Sequence, residues 1–467
     1  MTELTPEKIK ELTSLMANAP PATAARLLAM FERMKIMGNQ VIPSNDLISA
    51  MREAGMTQVN SGSITTVRLP SFERLFFEPF EKLFENDILD RILPGSLPRA
   101  GVREVWYLIA GHFLPDDVVD LEPHGTSAIL RGDIDKAREL AFQLRALLLA
   151  SLAGFTNSAI ARLAKTPEAG AILTRLVPLL LAEARGRDIW ATAFGTKGEL
   201  SEQGVASLAA NVRQLEDENP EAARELLLLT MSNLPRPCEA LRVLNKASYH
   251  VDDRKLDVTE FAVLGRRVIA TAERAADMIE KASKAEQFDG GDLSVTVELY
   301  NQNLQGLERE ANLAPDGPWR RAMVDIRKKV GNRLEMICDN VTRAVELALP
   351  VERVQRHNVM WTQEPTLHLE LNLVKVETAI QGLEFIAAAR LFASSAGFGA
   401  ARDQAVKHAS AYLDNVCEAI LRASRQASKP AHLAQWVHSA ASLLEALEGV
   451  KSAHVFERRV SVASAAA

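Results

Sequence analysis

Apolar residues in the second half of the chain recur at helical spacing. Leu369, Leu373, Val376, Ile380, Leu383 and Ala387 step 4-3-4-3-4, and Val406, Ala409, Leu413, Val416 and Ile420 step 3-4-3-4. Each series lays one apolar stripe along a helix, the seam of helices packed nearly parallel. Met323, Ile326, Val330, Leu334, Ile337, Val341, Val345 and Ala348 step 3-4-4-3-4-4-3 instead. That eleven-residue rhythm predicts straight or slightly right-handed packing. Long helices are therefore expected over 259–285, 293–311, 318–349, 365–396, 400–427 and 430–448, the longest spanning about 45–50 Å. No period of fixed length repeats, so a solenoid is not expected.

Before residue 258 the elements are shorter. Residues 1–66 read as three helices, with Pro6, Ser44 and Gly55 as start and stop signals, followed by a short strand in "ITTVRL" (64–69). These suggest a winged helix, but its third helix offers only Arg52 to a groove, too little base for that function. The stretch "LPSFERLFFEPFEKLF" (69–84) places Phe72, Phe76, Phe80 and Phe84 at i,i+4 steps, with Pro79 set to kink or split the helix. Its polar face is net acidic, which argues against a membrane-surface helix; core packing is expected first, and a partner surface if the ring face proves exposed. Breakers crowd residues 94–132. Helical pattern returns at 133–153, then shorter helices follow to about 247, with Pro220 and Pro235 read as helix starts.

The expected fold class is all-α: a short-helix N-terminal half plus an elongated antiparallel bundle of long helices. Its units run 1–66, 67–132, 133–257 and 258–449, with 450–467 as a flexible C-terminal tail. The length of 467 residues supports about two to four packed units.

Composition narrows the function classes. Hydrophobic residues at 47% and charged residues at 24% are ordinary for a folded protein, and a net charge of −6 makes nucleic acid an unlikely partner. The three cysteines, Cys238, Cys338 and Cys417, stand far apart, against a disulfide framework or zinc site and in favour of a reducing compartment. The start "MTELTPEKIKEL" is acidic and polar rather than a signal peptide, and the apolar runs are too short to span a bilayer. A soluble, cytoplasmic protein is expected, with membrane contact peripheral at most.

Several motifs are absent: no Gly-Lys pair for a P-loop, no HExxH, no Glu-x-x-His and no Ser-x-x-Lys. "GFGAAR" (397–402) reads as a helix–helix turn. His438 heads "HSAASLLEALEG", but Ala441 stands where a phosphotransfer motif would carry lysine, so a surface histidine is expected there. "DDVVD" (116–120) and "DNVTRAVE" (339–346) resemble the two metal motifs of all-helical terpenoid synthases. That resemblance implies Mg²⁺ and a diphosphate held by Asp116, Asp117, Asp120, Asp339, Thr342 and Glu346. Pro115 instead places the first motif in a helix's opening turn, where aspartates serve the helix dipole.

Two segments remain as binding candidates. "WRRAMVDIRKKVGNR" (319–333) gathers Arg320, Arg321, Arg327, Lys328, Lys329 and Arg333, either for an acidic partner, anionic lipid or nucleic acid, or as a face paired within the bundle. The connector 350–365 carries Arg353, Arg356, His357 and Trp361 between two long helices. The expectation is a non-catalytic scaffold or adaptor that binds protein partners, self-associates into a homo-oligomer and needs no cofactor. The diphosphate enzyme and a peripheral membrane or nucleic-acid binder working through 319–333 are the alternatives.

Overall fold

The computed structural model describes residues 70–87, 92–195, 198–285, 287–356, 360–426 and 428–465. The helices and strand expected over 1–69 lie outside them. The chain is all-α, as the apolar periodicity predicts. Its described residues form two compact units, one of 70–87 with 97–184, the other of 92–96 with the residues from 185 onward.

In the first unit, α1 (Phe72–Phe77) opens on Ser71, whose hydroxyl accepts the Arg74 N–H at 3.2 Å. Pro79 has no N–H to continue the α ladder. The chain tightens into a 3₁₀ turn over Glu78–Leu83 and leaves as β1 (Phe84–Glu85), paired in parallel with β2 (Leu97–Pro98). The single phenylalanine helix is therefore cut short, and Phe84 sits in a strand. All four phenylalanines of the i,i+4 series are nonetheless buried. Trp106, from α2 (Val102–Leu108), meets the Phe72, Phe76 and Phe77 rings at centroid distances of 6.4, 5.5 and 6.5 Å. Each such ring buries about 150–250 Å², so this cluster is the heart of the unit.

α3 (Pro115–Arg131) and α4 (Ile134–Ser151) pack against each other, and both pack against α1. Gly125 permits the α3 approach, because a Cβ there would stand 2.2 Å from the Phe72 ring. After α5 (Asn157–Ala161), α6 runs over Pro167–Ala193, with Pro178 inside it. One long helix thus replaces the shorter ones expected, and the division between the units falls within it.

The second unit continues with α7 (Glu202–Glu218), α8 (Pro220–Asn233), α9 (Ala240–Ala247) and α10 (Asp253–Leu256). Pro220 opens α8 as predicted, on an Asn219 cap. Pro235 opens nothing; the next turn starts at Pro237. The long helices follow: α11 (Ala262–Lys284), α12 (Gly290–Glu310) and α13 (Pro318–Ala348). α11 packs against both α12 and α13. Every member of the eleven-residue series on α13 is buried, from Met323 to Ala348.

The connector 350–365 is not a loop but an antiparallel hairpin of β3 (Val351–Arg356) and β4 (Met360–Pro365). α14 (Leu373–Ala388) consequently starts eight residues later than its apolar pattern suggests. Its buried positions are Val376, Ala379, Gly382, Leu383, Phe385 and Ile386; Leu369 and Leu373, read as seam residues, are exposed. α15 (Gly399–Ser424) buries Ala409, Leu413, Val416 and Ile420 on the predicted seam. α16 (Leu433–Glu448) packs against α14 and α15. Residues 450–465, expected as a flexible tail, form a further helix, α17 (Val450–Ala465), which lays Ala453, Phe456, Val460 and Ala463 on α15 and α16.

Candidate functional site

The first turn of α13 is anchored before its basic residues begin. Asp253, fully buried at the start of α10, accepts the Ala314 N–H at 2.8 Å and the Trp319 N–H at 3.0 Å. The second bond satisfies one of the helix's orphan donors. Gly317 is required beside it, since a Cβ there would stand 2.0 Å from the carboxylate oxygens. Asp257 then accepts the Trp319 indole N–H at 2.9 Å and holds Arg266 bidentately at 3.0 Å; the guanidinium bond keeps its carboxyl below the usual range.

Three of the six basic residues on α13 are absorbed by neighbours. Arg327 binds Glu308 at 2.7 Å. Lys329 binds Asp277 at 3.0 Å and Glu280 at 3.2 Å, and Arg333 reaches Glu280 at 3.4 Å. Glu280 also holds Lys284 at 2.6 Å; that bond first, then Lys329, pulls its carboxyl down to about 2. The paired-face reading holds for these residues, whereas Arg320, Arg321 and Lys328 are exposed. Half of the expected basic patch is therefore neutralised within the chain.

At the far end of α13 the hairpin rises from a clamped base. Thr366 donates to the Pro350 carbonyl twice, from its N–H at 3.1 Å and its hydroxyl at 3.0 Å. The Tyr412 hydroxyl donates to the Leu349 carbonyl at 2.7 Å, satisfying an orphan acceptor at the α13 terminus. Gln435 bonds both the N–H and the carbonyl of Leu371 at 3.1 Å, and the Trp436 indole donates to the Leu369 carbonyl at 3.0 Å. Arg353, Arg356 and Trp361 lie in the strands; His357 lies outside the described residues. β4 packs against α15.

Apolar side chains stand in solvent in the segments flanking this base. Leu347, Leu369, Leu373 and Val374 are exposed, from 49% at Leu369 to 62% at Leu373. Sequence reasoning missed them because leucine at helical spacing reads as core. The β-rich composition of "VERVQR" and "VMWT" was the available signal for the strands.

The remaining expected site residues lie within their own elements. Phe72, Phe76, Phe80 and Phe84 are closed inside the first unit and present no partner surface. Asp116 and Asp117 sit in the first turn of α3, and the Asp120 carbonyl lies 2.7 Å from His124 Nδ1. In the second unit, Thr342 donates back to the Cys338 carbonyl at 3.1 Å, and Glu346 lies 3.5 Å from His408. Among the described residues no group of three or more His, Cys, Asp or Glu side chains is arranged to hold a metal ion. Asp116 and Asp117 thus stand where the helix dipole favours acidic side chains. Burial pushes the Cys338 and Cys417 thiols up to about 12 and raises Cys238, the opposite of what a nucleophilic thiolate needs.

Among the described residues no helix is long and apolar enough to cross a membrane. No family model, curated protein or solved structure matches the chain.

Proposed function

We propose that the protein is a non-catalytic helical scaffold or adaptor of the cytoplasm that works by binding protein, with the hairpin end of its second unit as the docking end. The observation that carries this reading is the exposure of Leu347, Leu369, Leu373 and Val374 in the segments that flank a two-stranded hairpin whose base is fixed by side-chain hydrogen bonds. Exposed apolar residues beside a two-stranded hairpin are what a protein partner covers, through apolar burial and main-chain pairing together. Binding of nucleic acid or anionic lipid through 319–333 is supported less, because Arg327, Lys329 and Arg333 already spend their charge on Glu308, Asp277 and Glu280.

The test compares complexes recovered with the natural chain and with Leu373→Glu combined with Val374→Glu. Both positions are exposed, so the fold tolerates the change. The reading expects a stoichiometric protein partner that the variant loses while its circular dichroism and melting stay unchanged. A folded variant that keeps every partner refutes the docking end.

A further inference from the structure

The outer edge of β3, which pairs with no other strand among the described residues, carries a self-complementary pattern. In an antiparallel pair, residues that exchange hydrogen bonds alternate with residues that turn their N–H and C=O away. Thr366 donates to Pro350 across the hairpin base, which makes 350 and 366 a bonded pair. By alternation Glu352, Val354 and Arg356 bond inward to Glu364, Thr362 and Met360, and Val351, Arg353 and Gln355 turn their backbone groups outward. Among the described residues the sheet has these two strands alone. β4 packs against α15 and ends in Pro365, which has no N–H; β3 contains no proline. The β3 edge is thus the one equipped to pair further, and a hairpin without a third strand is marginal by itself.

We propose that β3 pairs antiparallel with β3 of a second copy of this chain, in the register centred on Val354. There Val354 faces Val354 of the second copy, Arg353 faces Gln355 in bonded pairs, and Glu352 faces Arg356 on both sides of the axis. The Glu352–Arg356 pairs fall at non-bonded positions, where strands approach most closely, at about 4.5 Å between Cα atoms. Neighbouring registers are rejected by charge. Centring on Arg353 sets arginine against arginine, and centring on Glu352 sets glutamate against glutamate. Centring on Gln355 sets Arg356 against Val354 and gives Glu352 no opposite charge in the strand. Only the Val354 register joins opposite charges without setting like charges face to face.

This inference rests on the reading of the hairpin end as a protein-binding surface and names its partner. The experiment is the molar mass of the purified full chain by light scattering over a hundredfold concentration range. The natural chain is expected to reach twice 51.2 kDa. Glu352→Arg sets arginine against Arg356 of the second copy and is expected to remain at 51.2 kDa. The same change places arginine opposite Glu364 within the hairpin, so the hairpin itself is not weakened. Adding Arg356→Glu exchanges the charges and restores the dimer.

Val354→Cys supplies the register, because two cysteines meeting at the axis lie within disulfide reach, and the three native cysteines are buried. Val354→Cys is expected to cross-link two chains under mild oxidation, and Arg353→Cys is not. A dimer that persists in Glu352→Arg, or one that cross-links through residue 353 and not 354, overturns the register. A natural chain of single mass at every concentration overturns the pairing. If that single chain still recovers a partner dependent on Leu373, the protein-binding reading stands without this inference.

Discussion

Arg145 offers the sharpest test of how the first unit is held together. Its guanidinium, buried on α4, donates to the Leu75 and Phe76 carbonyls at 3.2 and 3.0 Å and lies 3.3 Å from the buried Glu183 carboxylate on α6. It also stands 5.9 Å from the Phe76 and Phe142 ring centres. Arg145→Met keeps the apolar stem but strands a carboxylate in the core, a change that costs about 3–5 kcal/mol for pairs of this kind. Replacing both partners, Arg145→Met with Glu183→Leu, removes the stranded charge. What then remains is two carbonyls without their donor, about 1–3 kcal/mol each at most. The double variant is therefore predicted to be more stable than the single one.

The assay is hydrogen exchange of peptides from α1 and α4, which reads local opening of this unit. The single variant should speed exchange by roughly two to four orders of magnitude, the equivalent of that energy at about 1.4 kcal/mol per decade. The double variant should recover a measurable part. A single variant within threefold of the natural chain, or a double variant worse than the single, refutes the claim that the ion pair anchors α1 to the core.

Asp253→Ala removes the acceptor of two backbone N–H groups at the start of α13, and is predicted to destabilise by about 2–5 kcal/mol in urea unfolding; a loss under 1 kcal/mol contradicts the anchoring role. Tyr300→Phe is predicted to be neutral or stabilising by up to about 1 kcal/mol, because its buried hydroxyl has no hydrogen-bond partner among the described residues and burial pushes its pKa up to about 12; a clear destabilisation argues for a hidden partner. The Glu280 carboxyl is held at about 2 against an ordinary 4.5, so its stabilising effect is present above pH 4.5 and fades as pH falls toward 2. Glu280→Gln should flatten the acid limb of the stability curve in that window, and an unchanged limb would show that the Lys284–Glu280–Lys329 network adds nothing.

What was legible in the sequence followed from periodicity. The eleven-residue series on α13 is buried throughout, and the i,i+4 phenylalanines form a core split where Pro79 predicts. The hairpin was hidden because Pro350 and Pro365 bracket it like a connector, while helical spacing runs into it from both sides. Leu369 and Leu373 carried the right spacing for a seam and the wrong environment, since period cannot tell a core leucine from an exposed one. α17 was missed because two of its four buried residues, Ala453 and Ala463, are alanines and make a weak apolar stripe. Arg145, Glu183 and Asp253 gave no local signal at all. Their partners lie 38 to 70 residues away, so only the fold brings them together.

The most direct measurement removes the hairpin. Pro350 and Thr366 are hydrogen-bonded to each other at its base, so a short Gly-Ser turn can replace residues 351–365 without displacing α13 or α14. The account predicts that this chain melts like the natural one and loses both its protein partner and its self-association. A folded excision variant that keeps those associations would contradict the hairpin end as the working surface of the protein.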